Sequence, residues 1–362
     1  MQPNESHTYR EIISQSQSWK ATLESLQNQW GAISDWAERT RPVSHHASLA
    51  GGLGGEALII GCGSTYYLSL SVASFWRSIV GHPARALPAS EVWLFPESSL
   101  TVKPTTLLAI SRSGETTETL RALEVFRSHS FGECLAITCD PRSTLARLAD
   151  RRLVAVDAQE ESIAQTRSFT SMFLLALAVA CRLGGRQDLL DQMSALPAAF
   201  IRLLEKYETL ARGLAANNRL ERMAFLGSGV NYGLACEAML KMKELSLTPS
   251  EAFHFMEFRH GPKSVVGPGT LVVGIISASA SQAEAQVLQE MRQLGAMTLA
   301  VVENGFGVAA DYSVELHSGL ADPISRVLVL PVLQLVAFYR ALHKGLDPDH
   351  PAHLEAVVRL QD

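Results

Sequence analysis

The chain has 362 residues, 47% of them hydrophobic and 19% charged, with 31 Lys and Arg against 36 Asp and Glu. At about 100–200 residues per domain this length predicts two domains, and the apolar content excludes a disordered chain. A net charge of −5 removes the electrostatic reason to expect nucleic acid or an anionic membrane as partner. The longest uninterrupted apolar run, Met172–Cys181, has ten residues. A bilayer span needs about 20, so the run reads as a buried core helix. The opening Met1-Gln2-Pro3-Asn4-Glu5 is polar and predicts no secretory signal. Five cysteines without C-x-x-C spacing read as reduced thiols of a cytoplasmic protein.

The pattern predicts a helix over Tyr9–Arg39, where Trp19, Leu23, Leu26, Trp30 and Ile33 recur at three- and four-residue steps along one face. Arg41-Pro42 and the cluster Gly51-Gly52-Leu53-Gly54-Gly55 end it. Short apolar runs follow at Ala57–Ile60, Thr106–Ile110, Cys134–Thr138 and Leu153–Val156, separated by helix-like segments such as Glu118–Arg127. Apolar strands alternating with helices indicate parallel βαβ units with both sheet faces covered.

An internal repeat organises the whole chain. Gly61-Cys62-Gly63-Ser64-Thr65-Tyr66-Tyr67 has a counterpart 166 positions later in Gly227-Ser228-Gly229-Val230-Asn231-Tyr232-Gly233. Ser111-Arg112-Ser113 has one at the same offset in Ser277-Ala278-Ser279. Ala136–Asp140 matches Ala300–Asn304 more weakly at offset 164. Each member of the two strong pairs sits at the end of an apolar run. The expected organisation is an N-terminal helical segment (1–45), two copies of one α/β domain (46–205 and 215–345) joined by the helix-like stretch Leu189–Ala216, and a tail (346–362). No low-complexity segment or helix-turn-helix module is evident.

In the first copy, Gly61-x-Gly63-Ser64-Thr65 stands where a strand hands over to a helix, a place whose free N–H groups suit an anion. A turn of this kind also serves packing alone. Ser111-Arg112-Ser113-Gly114-Glu115-Thr116-Thr117 ends another strand and starts another helix. Its four hydroxyls exceed the one an N-cap requires, which favours a phosphate or sugar-phosphate ligand. The second copy reads Ser277-Ala278-Ser279-Ala280-Ser281 there, without the glycine or Glu-Thr-Thr, as though the fold were kept and the phosphate site lost.

In the second copy, Tyr232–Leu247 predicts an amphipathic helix with Glu237, Lys241 and Glu244 on one face and Lys243 pointing outward. Those three fit either an acid–base group or a solvated Glu–Lys ladder. Glu257-Phe258-Arg259-His260-Gly261-Pro262 places an imidazole before a turn, suited to acid–base work or to a structural role. The histidines lack metal-ligand spacing, His45-His46 being adjacent and most others isolated, so neither a metal nor a cofactor is expected.

Taken together, these motifs resemble the sugar isomerase (SIS) domain family, in particular the isomerase half of glucosamine-6-phosphate synthase and its stand-alone deaminase and deglycase relatives. The resemblance runs from Thr8-x-x-Glu11-Ile12 to the tail and includes Ala164-Gln165-Thr166-Arg167-Ser168-Phe169-Thr170, a segment that in the family helps line the sugar pocket. It implies two tandem flavodoxin-like domains, each a parallel sheet flanked by helices in a three-layer αβα arrangement, and a homodimer with shared active sites. It further implies that Gly63, Ser64, Thr65, Ser111, the Arg112 backbone, Ser113 and Thr116 hold a phosphate, and that Ala164 and Gln165 line the sugar. Glu244 would move a proton between C2 and C1, His260 from a neighbouring subunit would open the ring, and Glu237 and Lys241 would orient the rest.

Two departures bear on the reaction. The chain carries no glutaminase domain with a cysteine nucleophile, so glutamine-dependent synthesis by this chain alone is not expected. In Pro351-Ala352-His353-Leu354-Glu355-Ala356, alanine stands where the family often has a carbonyl-binding lysine, leaving Lys344 and more distant lysines as substitutes. The reading is an amino-sugar-phosphate isomerase/deaminase that releases fructose 6-phosphate and ammonia. The alternatives are a fructosamine-6-phosphate deglycase, an aldose–ketose isomerase, or a non-catalytic sugar-phosphate-binding regulator.

Overall fold

The computed structural model describes residues 2–40, 56–101, 104–129, 132–304 and 307–360. Met1, Arg41-Pro42, His45-His46 and the Gly51–Gly55 cluster lie outside them. Strands β1 (Glu56–Gly61), β2 (Ala84–Pro88), β3 (Pro104–Ile110), β4 (Glu133–Thr138) and β5 (Arg151–Val154) form one five-stranded sheet. Its order is β2-β1-β3-β4-β5 and every pairing is parallel. Strands β6 (Arg222–Leu226), β7 (Ser250–Phe253), β8 (Thr270–Ile275), β9 (Met297–Val302) and β10 (Tyr312–Glu315) form a second parallel sheet. Its order β10-β9-β8-β6-β7, followed from the β7 edge, is the same 2-1-3-4-5 flavodoxin-like sequence. The repeat seen as a 166-residue offset is therefore a repeat of topology.

The central strands are apolar because helices cover both of their faces. β1 and β8 are buried along their whole length. Leu58, Ile60, Leu107, Ala109 and Ala136 alternate onto one face of the first sheet and pack with Ala122, Leu123 and Phe126 of the helix Thr117–Ser128. In the same unit, Phe75 of the helix Ser64–Phe75 meets Phe173 of the helix Arg167–Leu183 at a centroid distance of 5.4 Å. The latter contains the ten-residue apolar run, buried throughout. Among the described residues one helical segment, Asp322–His343, is long and apolar enough to cross a membrane, and its apolar window is wholly buried in the fold.

The chain divides into two compact units. One, holding the first sheet, comprises Gln17–Gln159, Arg167–Ser194 and Glu355–Asp362; the other comprises Met1–Ser16, Glu160–Thr166 and Ala195–Leu354.

Three details differ from the sequence pattern. The expected helix over Tyr9–Arg39 is two helices, His7–Ile13 and Gln15–Thr40. At the break, the Ser14 hydroxyl donates to Glu11 O and the Gln15 side chain to Ile12 O, so side chains satisfy carbonyls that a continuous helix would use. The stretch Leu189–Ala216 is likewise interrupted. A helix over Gln187–Gln192 passes through a 3₁₀ turn into Leu196–Ala215, with Pro197 in the first turn, where a missing N–H costs nothing. The edge strands β2, β7 and β10 gave no apolar run.

Candidate active site

At the carboxyl end of β1 the chain turns into the helix Ser64–Phe75 through Gly63, whose φ of +54° favours glycine. Gly61 is required for another reason: a Cβ there would stand 2.4 Å from the carbonyl carbon of Thr65. That closeness lets the Thr65 hydroxyl accept from Cys62 N at 2.9 Å and donate to Cys62 O at 2.9 Å. Thr65 thus braces the turn, while Ser64 is buried at the first helical position.

Beside it, at the end of β3, Ser111 Oγ accepts from Gly114 N at 3.1 Å and lies 3.4 Å from Thr116 Oγ1. Ser113 Oγ accepts from Glu115 N at 3.2 Å. Gly114 has a φ of +63°, and a Cβ there would come within 2.2 Å of Ser143 Oγ. The one acid in the loop is turned away, since the Glu115 carboxylate accepts from Thr144 N at 2.6 Å and from its hydroxyl at 3.0 Å. Thr116 occupies the N-cap of the helix Thr117–Ser128 without a side-chain capping bond. Plain capping therefore does not account for its hydroxyl. The loop and the glycine turn meet at the topological switch point between β1 and β3, where open α/β sheets bind ligands. Arg112 sends its guanidinium to Ala356 O of the tail at 2.8 Å, and its own carbonyl accepts from Cys139 N and the Thr138 hydroxyl. Thr117 Oγ1 accepts from Leu360 N at 3.1 Å, so the tail runs across the start of this helix.

Glu237, Lys241 and Glu244 lie in the other unit. The helix Val230–Ser246 leaves its glycine turn at Gly229, φ +58°. Along it, Lys241 Nζ stands 3.3 Å from Glu237 Oε1 and donates to Glu244 Oε2. Glu237 and Lys241 are fully buried, the Glu244 side chain is 16% exposed, and Lys243 points outward. This is no solvated ladder. Burial alone would push the Lys241 ammonium down, but the Glu237 and Glu244 carboxylates outweigh it and hold its pKa above the ordinary lysine value.

Glu160, which no spacing in the sequence joins to this helix, adds to that field. Its Oε1 accepts from the Thr166 hydroxyl at 2.9 Å. Glu11 secures the same segment by accepting from Glu161 N at 2.6 Å, from Ser162 N at 3.3 Å and from the Ser162 hydroxyl. Ala164 is buried between these anchors, and the buried Gln165 Oε1 has no hydrogen-bond donor among the described residues. His260 is exposed, its N–H donating to Glu257 O at 2.9 Å, while neighbouring Arg259 forks onto Glu290 at 2.6 and 2.9 Å. No hydrogen bond or ion pair among the described residues joins His260 to the Glu237–Lys241–Glu244 group.

At the end of β8, Ser277 stands where Ser111 stands in the first sheet. Its N–H and hydroxyl donate to Glu284 Oε2 at 2.6 and 3.0 Å. Glu284 is buried, and burial pushes its carboxyl pKa up. A carboxylate of the chain itself takes these donors.

The SIS domain family model matches residues 55–182 and 218–343. A glutamine–fructose-6-phosphate aminotransferase (isomerizing) of Pseudomonas putida is 30% identical over 319 residues, covering 84% of this chain and 51% of that protein. The chain thus spans about half the length of such relatives. A glucosamine-6-phosphate deaminase from Thermotoga maritima superposes with a TM-score of 0.71 at 28% identity, covering 98% of this chain and 100% of that one. A tagatose-6-phosphate ketose/aldose isomerase from Escherichia coli superposes at 0.81 with 23% identity, covering 97% of each, a likeness of fold.

Proposed function

Because the chain belongs to the SIS domain family, we propose that it is an amino-sugar-phosphate isomerase/deaminase converting glucosamine 6-phosphate, or a close isomer, to fructose 6-phosphate and ammonia. The observation that carries this reading is the buried Lys241 ammonium held between Glu237 and Glu244. A non-catalytic sugar-phosphate sensor needs the cradle of the first sheet but has no use for a buried acid–base group. The 28% identity to a glucosamine-6-phosphate deaminase along almost the whole chain favours an amino sugar over the ketose-only alternatives.

In this reading Ser111, Ser113, Thr116 and the main chain around Gly63 and Ser64 bind the phosphate, so that binding energy remote from the reacting carbons positions them. His260, contributed by a neighbouring subunit of a homodimer, assists ring opening. Glu244 takes the proton from C2 and returns it at C1, while the C1 carbonyl oxygen gains a proton and the C2 amine loses one, leaving an imine at C2 that water hydrolyses to the ketone and ammonia. Lys241 fixes the Glu244 carboxylate, and its charge offsets that of Glu237. An amino sugar brings its own nitrogen, so alanine at position 356 does not block the route. The five cysteines are free thiols, in keeping with a cytoplasmic site of action.

The test is ammonium release from glucosamine 6-phosphate with fructose 6-phosphate read in parallel, using Glu244→Gln and His260→Ala as controls. Equal amounts of both products, absent from the controls, are expected. No release, while other sugar phosphates still raise the melting temperature, would point to a deglycase, an unsubstituted isomerase or a sensor.

A further inference from the structure

The helix Leu330–His343 and the residue just after it carry two cations one turn apart, and each closes the end of a different helix. Arg340 donates to Ala215 O at 3.0 Å, the last residue of the helix Leu196–Ala215, and to Asn217 O at 2.9 Å and Leu220 O at 2.5 Å just beyond it. Lys344 Nζ donates to Ser246 O and to Thr248 Oγ1, both at 2.9 Å, at the end of the helix Val230–Ser246. A helix C-terminus leaves carbonyls without partners and carries partial negative charge, so a cation there satisfies both. Partial burial, then the nearby Arg340 charge, lower the Lys344 pKa, so the contact stands on its two hydrogen bonds as well as on charge. The turn it grips is itself unusual. Leu247 takes a left-handed φ of +49° without being glycine, and the Ser246 hydroxyl bonds to Met242 O at 2.6 Å and Thr248 Oγ1 at 2.9 Å. Glu244 lies two residues before this knot.

We propose that Lys344 is a positioning residue that clamps the turn carrying Glu244 through Ser246 and Thr248, rather than a lysine that meets the sugar carbonyl. The proposal rests on the reading of Glu244 as the group that moves the proton. Displacing that carboxylate by a fraction of an ångström lowers turnover without touching phosphate binding.

Lys344→Met and Lys344→Arg in the full chain are assayed with glucosamine 6-phosphate, with hydrogen exchange followed at amides 245–248. Lys344→Met is expected to lose about tenfold or more in kcat with KM within about threefold of the parent, at temperatures where it is fully folded, and to exchange faster at 245–248. Lys344→Arg is expected to retain kcat within about threefold, since it keeps the charge and donors. A Lys344→Met kcat within twofold of the parent, or unchanged exchange at 245–248, overturns the clamp. So does modification of Lys344 when borohydride is added with fructose 6-phosphate and peptides are mapped. If Lys344→Met does not fold, Thr248→Val removes one end of the clamp, and an unchanged kcat there overturns it equally. Glu244→Gln separates the two ideas. Parent-like turnover in that variant refutes the role of Glu244, and the exchange data then decide the clamp alone.

Discussion

Replacing Lys241 by methionine removes the ammonium that lies 3.3 Å from Glu237, whose side chain has no exposed surface, and that bonds to a Glu244 only 16% exposed. Removing one partner of a buried pair typically costs about 3–5 kcal/mol because the other charge is left without compensation. The chain can escape by protonating a carboxyl. From an ordinary glutamate pKa this costs about 3.5 kcal/mol at pH 7 and about 1 kcal/mol at pH 5. Lys241→Met should therefore lose about 3–4 kcal/mol at pH 7 and regain most of it by pH 5. The parent should show no such slope from this pair. Lys241 is raised above its ordinary 10.5, so its contribution is complete below that value and is lost only as pH rises through the higher folded-state pKa. Adding Glu237→Gln to the variant should recover much of the loss. Urea unfolding should be followed by far-UV circular dichroism, because all five tryptophans (Trp19, Trp30, Trp36, Trp76 and Trp93) lie in the other unit. A loss under about 1 kcal/mol at pH 7, or an equal loss at pH 5 and pH 7, would refute the account of a paired buried ammonium.

Gly61→Ala places a Cβ 2.4 Å from the Thr65 carbonyl carbon and should cost about 2 kcal/mol or more; a melting temperature within a degree of the parent would contradict the geometry. Thr116→Val removes a hydroxyl that caps no helix, so KM for the sugar phosphate should rise about tenfold with the melting temperature unchanged. A fall in stability without a change in KM would return Thr116 to a structural role. Glu11 and Glu284 both have carboxyl pKa values raised by burial. The cost of keeping them ionised is full above those values and is relieved as pH falls through them toward the unfolded value. Glu11→Gln with Glu284→Gln should reduce any gain in melting temperature as pH falls toward the ordinary glutamate value of 4.5, and an unaltered pH profile would exclude these groups as a source.

The central strands were legible because β1, β3, β4 and β8 are apolar runs buried on both faces. The edges were not. β7 is Ser250-Glu251-Ala252-Phe253, with only Ser250 fully buried, and nothing in such a composition separates it from a loop. The break at Ser14 was hidden for a different reason, since it depends on side chains bonding back to Glu11 and Ile12 rather than on a glycine or proline. In the candidate site, the i, i+4, i+7 spacing disclosed Glu237, Lys241 and Glu244, but spacing is the same for a wet face and a dry one; tertiary packing decided it. Glu160 stands 77 positions before Glu237 and reaches the group only through the fold, with Glu11 and Thr166 holding its segment.

Duplicating the sheet repeats its strand ends, β3 running into Ser111 and β8 toward Ser277. The two ends are not alike: the N–H and hydroxyl of Ser277 donate to Glu284, a side chain of the following helix that cannot diffuse away. A tethered acceptor of this kind competes with any free anion at an effective concentration set by its short tether. The two sheets therefore share a topology and differ at the end of their third strand, which under the proposed function leaves phosphate to the first.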